Sequence, residues 1–318
     1  MLIPLVSIVL GLSILLGGAS ALVSGASSIA LRLRISRLVV GLTVVALGTS
    51  APELLVSILA AFDGAADMAV ANVVGSNLAN ILLILGLSAM ISPLAMEKTI
   101  RWREIPFVLL STLVLVILGN DQILTKAPGS VLDRADGLAI LGYFGVYLYY
   151  IFSVARTAPL EEVQTRVWAV PKAVGLTLLG IAGLTLGGHW LVQGAQSIAV
   201  SLGMSQALIG VTILAVGTSL PELATSLTAA AQGNADIAVG NVVGSNIMNI
   251  LWILGATASV TPLRFNPALN VDIWFLVGVS LLFFLFTFTW KKHKLDRREG
   301  GLFVVLYIGY MVFAVMRG

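Results

Sequence analysis

Gly48-Thr49-Ser50-Ala51-Pro52-Glu53 recurs further along the chain as Gly217-Thr218-Ser219-Leu220-Pro221-Glu222. Each copy is followed by a second shared string, Gly75-Ser76-Asn77 to Asn80 and Gly244-Ser245-Asn246 to Asn249, and the copies stand 169 residues apart in both cases. The surroundings are apolar: 58% of the residues are hydrophobic, 10% are charged, and the mean hydropathy is +1.02. A soluble core of 318 residues has no use for that much apolar surface, so the chain reads as an integral membrane protein. A carboxylate inside lipid is costly. Two at equivalent positions, each beside a helix breaker, point to a cation site shared by two halves.

Windows long enough to cross roughly 30 Å of hydrocarbon fall at 2–27, 38–62, 68–91, 103–120, 136–156, 171–200, 206–231, 237–260, 270–290 and 301–316. They predict an all-α membrane protein of about ten transmembrane helices. The most polar break near the middle runs from Arg156 to Lys172, which places a first five-helix repeat at 1–156, a cytoplasmic linker at 157–170 and a second repeat at 171–318. An odd number of helices per half makes the second copy enter the membrane from the other side, giving inverted repeats. Loops after odd-numbered helices hold fourteen of the eighteen Lys and Arg residues, and the other side holds Lys126, Arg134, Arg264 and Arg317. The positive-inside rule then puts both termini outside the cytoplasm and the linker within it, in a multi-pass protein of the cell membrane.

Leu2 to Val23 could be misread as a signal peptide, with Ala19-Ser20-Ala21 as its cleavage site. However, no Lys or Arg precedes it, and its Gly18 to Gly25 spacing recurs as Gly187 to Gly194. It reads as a retained first helix. The absence of Cys excludes disulfides and thiolate metal sites. The sequence pI near 9.3 comes from short loops and implies no nucleic-acid partner.

Between 46–86 and 215–255 roughly two-thirds of positions are identical, whereas the flanking helices match much less well. Pro52 has no amide hydrogen, so the carbonyl of Gly48 loses its helical partner, and Pro221 does the same to Gly217. The helices should bend there and turn carbonyls toward a cavity, which membrane depth tolerates only where protein, water or ions satisfy them. Thr49, Ser50 and Glu53 share one helical face, as do Thr218, Ser219 and Glu222. Ser76 with Asn80, and Ser245 with Asn249, share faces on the following helices. This set of carboxylates, hydroxyls, amide oxygens and freed carbonyls suits Ca²⁺ and also Na⁺, and argues against Zn²⁺ or Cu⁺. Protons compete for an emptied site, because two like charges close together draw one.

Thirteen of the fifteen acidic residues fall in loops or at helix ends, which leaves Glu53 and Glu222 as the pair that cannot reach the interface. Other polar residues have plainer readings. Ser57 and Ser226 serve helix packing, Asn72 and Asn241 cap helix ends, and Asn77 and Asn246 orient the break. His189 is structural, having no counterpart in the first half. Trp102, Trp168, Trp274 and Trp290 anchor the interfaces, and Gly183, Gly187 and Gly188 are close helix contacts.

These residues resemble the Ca²⁺/cation antiporter superfamily, and within it the prokaryotic Na⁺/Ca²⁺ exchanger branch. The resemblance spans essentially the whole chain, with the family's two α-repeats at about 38–91 and 206–260. It implies that Glu53 and Glu222 coordinate Ca²⁺, with the carbonyls of Thr49 and Thr218 completing its shell. Na⁺ would use Ser50, Ser76, Ser219 and Ser245, the carbonyls of Ala46 and Ala215, and the same glutamates. Asn80 matches the family's Asn in the first repeat. Asn249 stands where the best-described members carry Asp. The Thr-Ser-x-Pro order favours Na⁺ over H⁺ as the coupling ion.

The expected function is antiport of Na⁺ against Ca²⁺ by alternating access, in a monomeric unit embedded in the bilayer, with the ions as substrates and no cofactor. H⁺/Ca²⁺ exchange, or exchange of another divalent cation, is the rival within the class. A passive channel would need a filter repeated around a pore axis, and an intramembrane hydrolase a nucleophile–base pair. Neither is visible, so no enzyme activity is expected.

Overall fold

The computed structural model describes residues 2–64, 66–124, 126, 129–155, 167–202, 215–289 and 293–317. Helix α1 covers Leu2–Leu33. Next come α2 (Arg37–Val40), a π-helical segment π1 (Gly41–Val45) and α3 (Ala46–Thr49), which run together, then α4 (Ala51–Phe62). Ala66–Leu78 (α5), Ala79–Leu85 (π2) and Gly86–Ile91 (α6) form one rod, followed by π3 (Ile100–Glu104), α7 (Ile105–Leu118), α8 (Asp121–Leu124) and α9 (Arg134–Ala155). The second half holds α10 (Val170–Ser201), α11 (Ala215–Gly217), α12 (Leu220–Ala231), α13 (Ala235–Met248), π4 (Asn249–Leu254), α14 (Gly255–Val260), α15 (Asn270–Phe286) and α16 (Arg297–Arg317).

Among the described residues seven helices are long and apolar enough to cross a membrane, or eight if the bent pair Arg37–Thr49 and Ala51–Phe62 is one span. Ile100 to Leu118 is apolar only after Arg101, Arg103 and Glu104. Part of the span expected at 206–231 lies outside the described residues, as do most of the expected linker at 157–170 and Trp290. The expectation of an all-α chain needs one amendment. Two-residue strands β1 (Leu94–Ala95) and β4 (Lys294–Leu295) pair antiparallel, as do β2 (Val131–Leu132) and β3 (Leu263–Arg264). Each ties a loop of one half to a loop of the other.

The packing follows from glycine. Helices α1 and α10 touch backbone to backbone: a Cβ on Gly18 would stand 2.8 Å from Leu184 N, and one on Gly180 2.5 Å from Leu22 N. Gly11, Gly18 and Gly25 recur at seven-residue steps and face Gly187, Gly180 and Thr177 in turn. In a bilayer, where no hydrophobic effect separates helix from lipid, such close approach is what holds helices together. The expected contact role of Gly183 and Gly187 is met, since a Cβ on either would lie within 3.1 Å of α1 backbone. Inside this layer sit α5–π2–α6 and α13–π4–α14, the latter with 94% of its span buried.

The two halves end their site helices alike. Gly64 and Gly233, also 169 apart, take φ of +78° and +75° and donate to Ala61 O and Ala230 O, closing α4 and α12. A left-handed residue just past a helix is cheapest as glycine.

Candidate functional site

Both Gly-Thr-Ser-x-Pro-Glu segments adopt the expected break. Ser50 (φ −86°, ψ 6°) and Ser219 (φ −87°, ψ 7°) leave the helix at the same point, with proline in the first turn that follows. The axis turns by 45° between Thr49 and Ala51. Helix resumes from the serine carbonyls, with Leu54 N donating to Ser50 O at 3.2 Å and Leu223 N to Ser219 O at 3.0 Å. Not every expected carbonyl is released. Ala46 O accepts Ser50 N (2.9 Å), so it is already engaged, while the side chain of Ala215 lies outside the described residues.

The break brings the motifs together crosswise. Glu53 and Glu222 are each 1% exposed and feel each other's charge, and among the described residues no basic side chain pairs with either. Ser50 Oγ donates to Glu222 Oε1 at 2.9 Å, and Ser245 Oγ lies 3.0 Å from Ser50 Oγ and 3.5 Å from the same carboxylate oxygen. In the reverse direction Ser219 Oγ reaches Glu53 Oε1 at 3.5 Å.

Four asparagines join the halves beside them. Asn80 Nδ2 donates to Asn246 Oδ1 (3.0 Å), Asn249 Nδ2 to Asn77 Oδ1 (3.0 Å), and Asn77 Nδ2 to the Asn246 carbonyl (3.2 Å). The expected orienting role of Asn77 and Asn246 therefore takes the form of holding Asn80 and Asn249. Asn80 and Asn249 sit where α-helix passes into π-helix, a register change common at functional sites.

Six buried oxygens of this group meet no hydrogen-bond partner of good geometry: Glu53 Oε2, Glu222 Oε2, Ser76 Oγ, Asn80 Oδ1, Asn249 Oδ1 and Thr218 Oγ1. Buried polar atoms are otherwise satisfied almost everywhere in proteins. The Nδ2 groups of Asn80 and Asn249 are turned away into bonds with Asn246 and Asn77, which leaves their oxygens in this cluster, while Asn246 Nδ2 is buried without a partner. Oxygens of these kinds are the ligand type that hard cations take.

One expectation needs correction. Asn72 and Asn241 do not cap helices; they lie inside α5 and α13, which begin at Ala66 and Ala235. Asn241 Nδ2 donates to Ser226 Oγ (2.9 Å) and the Glu222 carbonyl (3.4 Å), and its Oδ1 accepts from Thr49 Oγ1 (3.0 Å). Asn72 Nδ2 donates to Ser57 Oγ (3.2 Å). The fixed 169-residue offset also links these two asparagines, and was the signal that could have found them. The structural reading of His189 is not contradicted. This residue lines a cavity of about 250 Å³ with Pro52, Leu55, Thr185, Thr218 and Pro221, bordering both motifs.

Burial alone does not single out the two glutamates. Glu104 and Glu299 are fully buried and Asp272 is 3% exposed, each in or just ahead of a helix's first turn. Glu104 Oε2 is unpartnered as in the two motif glutamates, but it stands alone, without a second acid or other unpartnered motif oxygens of the sequence repeat beside it. Tyr150 Oη donates to Glu104 (2.6 Å), Thr289 Oγ1 to Glu299 (2.6 Å), and Tyr310 Oη and Arg317 to Asp272 (3.1 and 2.6 Å).

The fold defines a multi-pass helical membrane protein with a buried, oxygen-rich cluster between its two motif pairs. The chain belongs to the sodium/calcium exchanger family, whose model, described as Sodium/calcium exchanger protein, matches residues 3–153 and 172–316. It is similar to the sodium/calcium exchanger MaX1 of Methanosarcina acetivorans, 31% identical over 96% of both chains. It is also similar to the inner membrane protein YrbG of Escherichia coli, 34% identical over 99% of this chain and 97% of that one. Among solved structures, the sodium-calcium exchanger NCX_Mj soaked with Na⁺ and Sr²⁺ superposes with a TM-score of 0.84, at 34% identity over 98% of each chain. MaX1 and NCX_Mj are both named as sodium/calcium exchangers.

Proposed function

We propose that this chain exchanges Na⁺ for Ca²⁺ across the cell membrane by alternating access, through one site centred on Glu53 and Glu222. The observation that carries the reading is the set of unpartnered buried oxygens on the two motif pairs, with no basic side chain paired to either carboxylate among the described residues. Two carboxylates balance one divalent cation, and Ca²⁺ takes six to eight oxygens. Carbonyls of Thr49 and Thr218 complete its shell. Ser50, Ser219, Ser76, Ser245, Asn80 and Asn249 serve Na⁺ or both ions, with the carbonyls of Ala46 and Ala215 exposed to them only if the helices rearrange.

Coupling needs no second site. Ca²⁺ and Na⁺ draw on the same oxygens, so binding of one expels the other, and an empty, doubly charged centre resists passage through lipid. The frame for this is ten helices in two inverted five-helix repeats, 1–156 and 171–318, with both termini outside and a monomer as the transport unit. The charge asymmetry of the loops supports that orientation.

The test is ⁴⁵Ca²⁺ uptake into proteoliposomes. Uptake should follow an imposed Na⁺ gradient and generate a membrane potential. Uptake that ignores Na⁺ and follows a proton gradient instead would reassign the chain to H⁺/Ca²⁺ exchange, and current without countertransport would make it a channel.

A further inference from the structure

The two halves are alike in sequence at the site, yet their hydrogen bonds are not alike. Within each half the same bond is made: Asn241 to Ser226 (2.9 Å) and Asn72 to Ser57 (3.2 Å). Between the halves the bond is made once. Thr49 Oγ1 donates to Asn241 Oδ1 at 3.0 Å, whereas its counterpart Thr218 Oγ1 is buried beside Glu53 with no partner of good geometry, so it makes no bond to Asn72. Helix α11, which leads into Thr218, nevertheless lies against α5, which carries Asn72.

The surrounding burial breaks symmetry in the same sense. Leu55 and Val56, which line the cavity at Thr218, are 60% and 41% exposed; their counterparts Ala224 and Thr225, on the Thr49 side, are 5% and 0% exposed. Asn241 is fully enclosed and Asn72 only half-buried.

We propose that Asn241 and Asn72 are positioning residues that latch the site alternately. In this conformation the Thr49–Asn241 bond closes one side while the Thr218–Asn72 bond is open and a cavity stands in its place. In the opposite conformation the second bond forms and the first breaks. A duplicated site with one inter-half bond made and its twin unmade has two arrangements of equal chemistry, which is what a two-state transporter needs. The inference rests on the antiport reading only in calling the conformations transport states.

The chain has no cysteine, so single-cysteine variants report conformation directly. Val56→Cys and Thr225→Cys would be labelled by a water-soluble maleimide in nanodiscs free of Na⁺ and Ca²⁺, and the ratio of their rates read as open to closed cavity. One ordinary hydrogen bond sets an equilibrium by about fivefold. Asn241→Leu should lower the ratio about fivefold and Asn72→Leu should raise it by a similar factor. Both leucine variants moving the ratio the same way, or neither moving it, overturns the latch. Should Asn241→Leu fail to assemble, Asn72→Leu decides: an unchanged or lowered ratio ends the proposal. Labelling needs no transported ion, so a failed latch and a failed exchange reading remain distinguishable.

Discussion

Ser50 holds the carboxylate of Glu222 at 2.9 Å, while Ser219 stands 3.5 Å from Glu53. Each motif thus supplies the hydroxyl for the other motif's acid, and neither half owns a complete site. The helix break makes this possible: at Ser50 and Ser219 each serine leaves its own helix, and its hydroxyl reaches the other motif's acid. The crossing also explains why two rather distant segments keep the same residues. A change in either one damages the environment of both carboxylates.

Unequal crossing distances predict unequal mutants. A hydrogen bond to a charged group contributes about 1.5–3 kcal/mol, so Ser50→Ala should weaken Ca²⁺ binding roughly ten- to hundredfold. Ser219→Ala removes a longer contact and should cost less, within about fivefold. Isothermal titration of purified protein compares them. Equal losses would mean that the two distances do not persist in the ion-bound state.

Removing either charge should stop exchange outright. Glu53→Gln and Glu222→Gln keep shape and hydrogen-bonding capacity but leave one carboxylate to face a divalent ion. Uptake of ⁴⁵Ca²⁺ should fall to the level of empty vesicles, with size-exclusion profiles and thermal unfolding unchanged or improved, since a lone buried charge is costly to hold. Retained exchange in either variant would displace that glutamate from the centre.

Glycine contacts make a separate prediction about stability. A Cβ at Gly240 would sit 2.9 Å from Leu38 O and 3.1 Å from the Cα of Gly41, both backbone atoms that cannot yield. Gly240→Ala should therefore destabilise the protein by about 1–3 kcal/mol, the usual cost of overpacking. Gly142, within α9, has no atom within 4 Å of an added Cβ. Gly142→Ala should be neutral or gain up to about 1 kcal/mol, and thermal unfolding in detergent would show the two shifting in different directions.

The duplicated motif made the centre legible, because Pro52 and Pro221 announce the bends and Glu53 and Glu222 the charge. What could not be read was the difference between the halves. Thr49 and Thr218 are the same residue in the same string, so nothing local says that only Thr49 finds an asparagine. Asn72 and Asn241 were misjudged for a related reason. The apolar windows begin at 68 and 237, which puts them near the first turn, whereas the helices start earlier at Ala66 and Ala235 and carry them inward. The partners of the other buried acids were hidden by distance along the chain: Tyr150 is 46 residues from Glu104, and Arg317 is 45 from Asp272. The π-helical registers at Asn80 and Asn249 carry no propensity signal at all; they arise where packing across the halves turns both amides inward.

Asn249 offers the sharpest chemical test. Its Nδ2 donates to Asn77 Oδ1 at 3.0 Å, and its Oδ1 is left buried without a partner. The position thus uses a neutral group that donates on one side and offers oxygen on the other. A carboxylic acid can do the same only while protonated, because an ionised carboxylate cannot donate. In Asn249→Asp, exchange should survive within about fivefold under conditions that keep the acid protonated, since one ordinary hydrogen bond is at stake. As pH rises and the acid ionises, the bond to Asn77 is lost and a third negative charge joins the two glutamates. Exchange by the variant should then change with pH more steeply than exchange by the parent chain. Flux measured across a pH series for both proteins checks this. Parallel profiles would mean that the donation to Asn77 has no part in holding the ligand oxygen, and that Asn249 serves the centre through its oxygen alone.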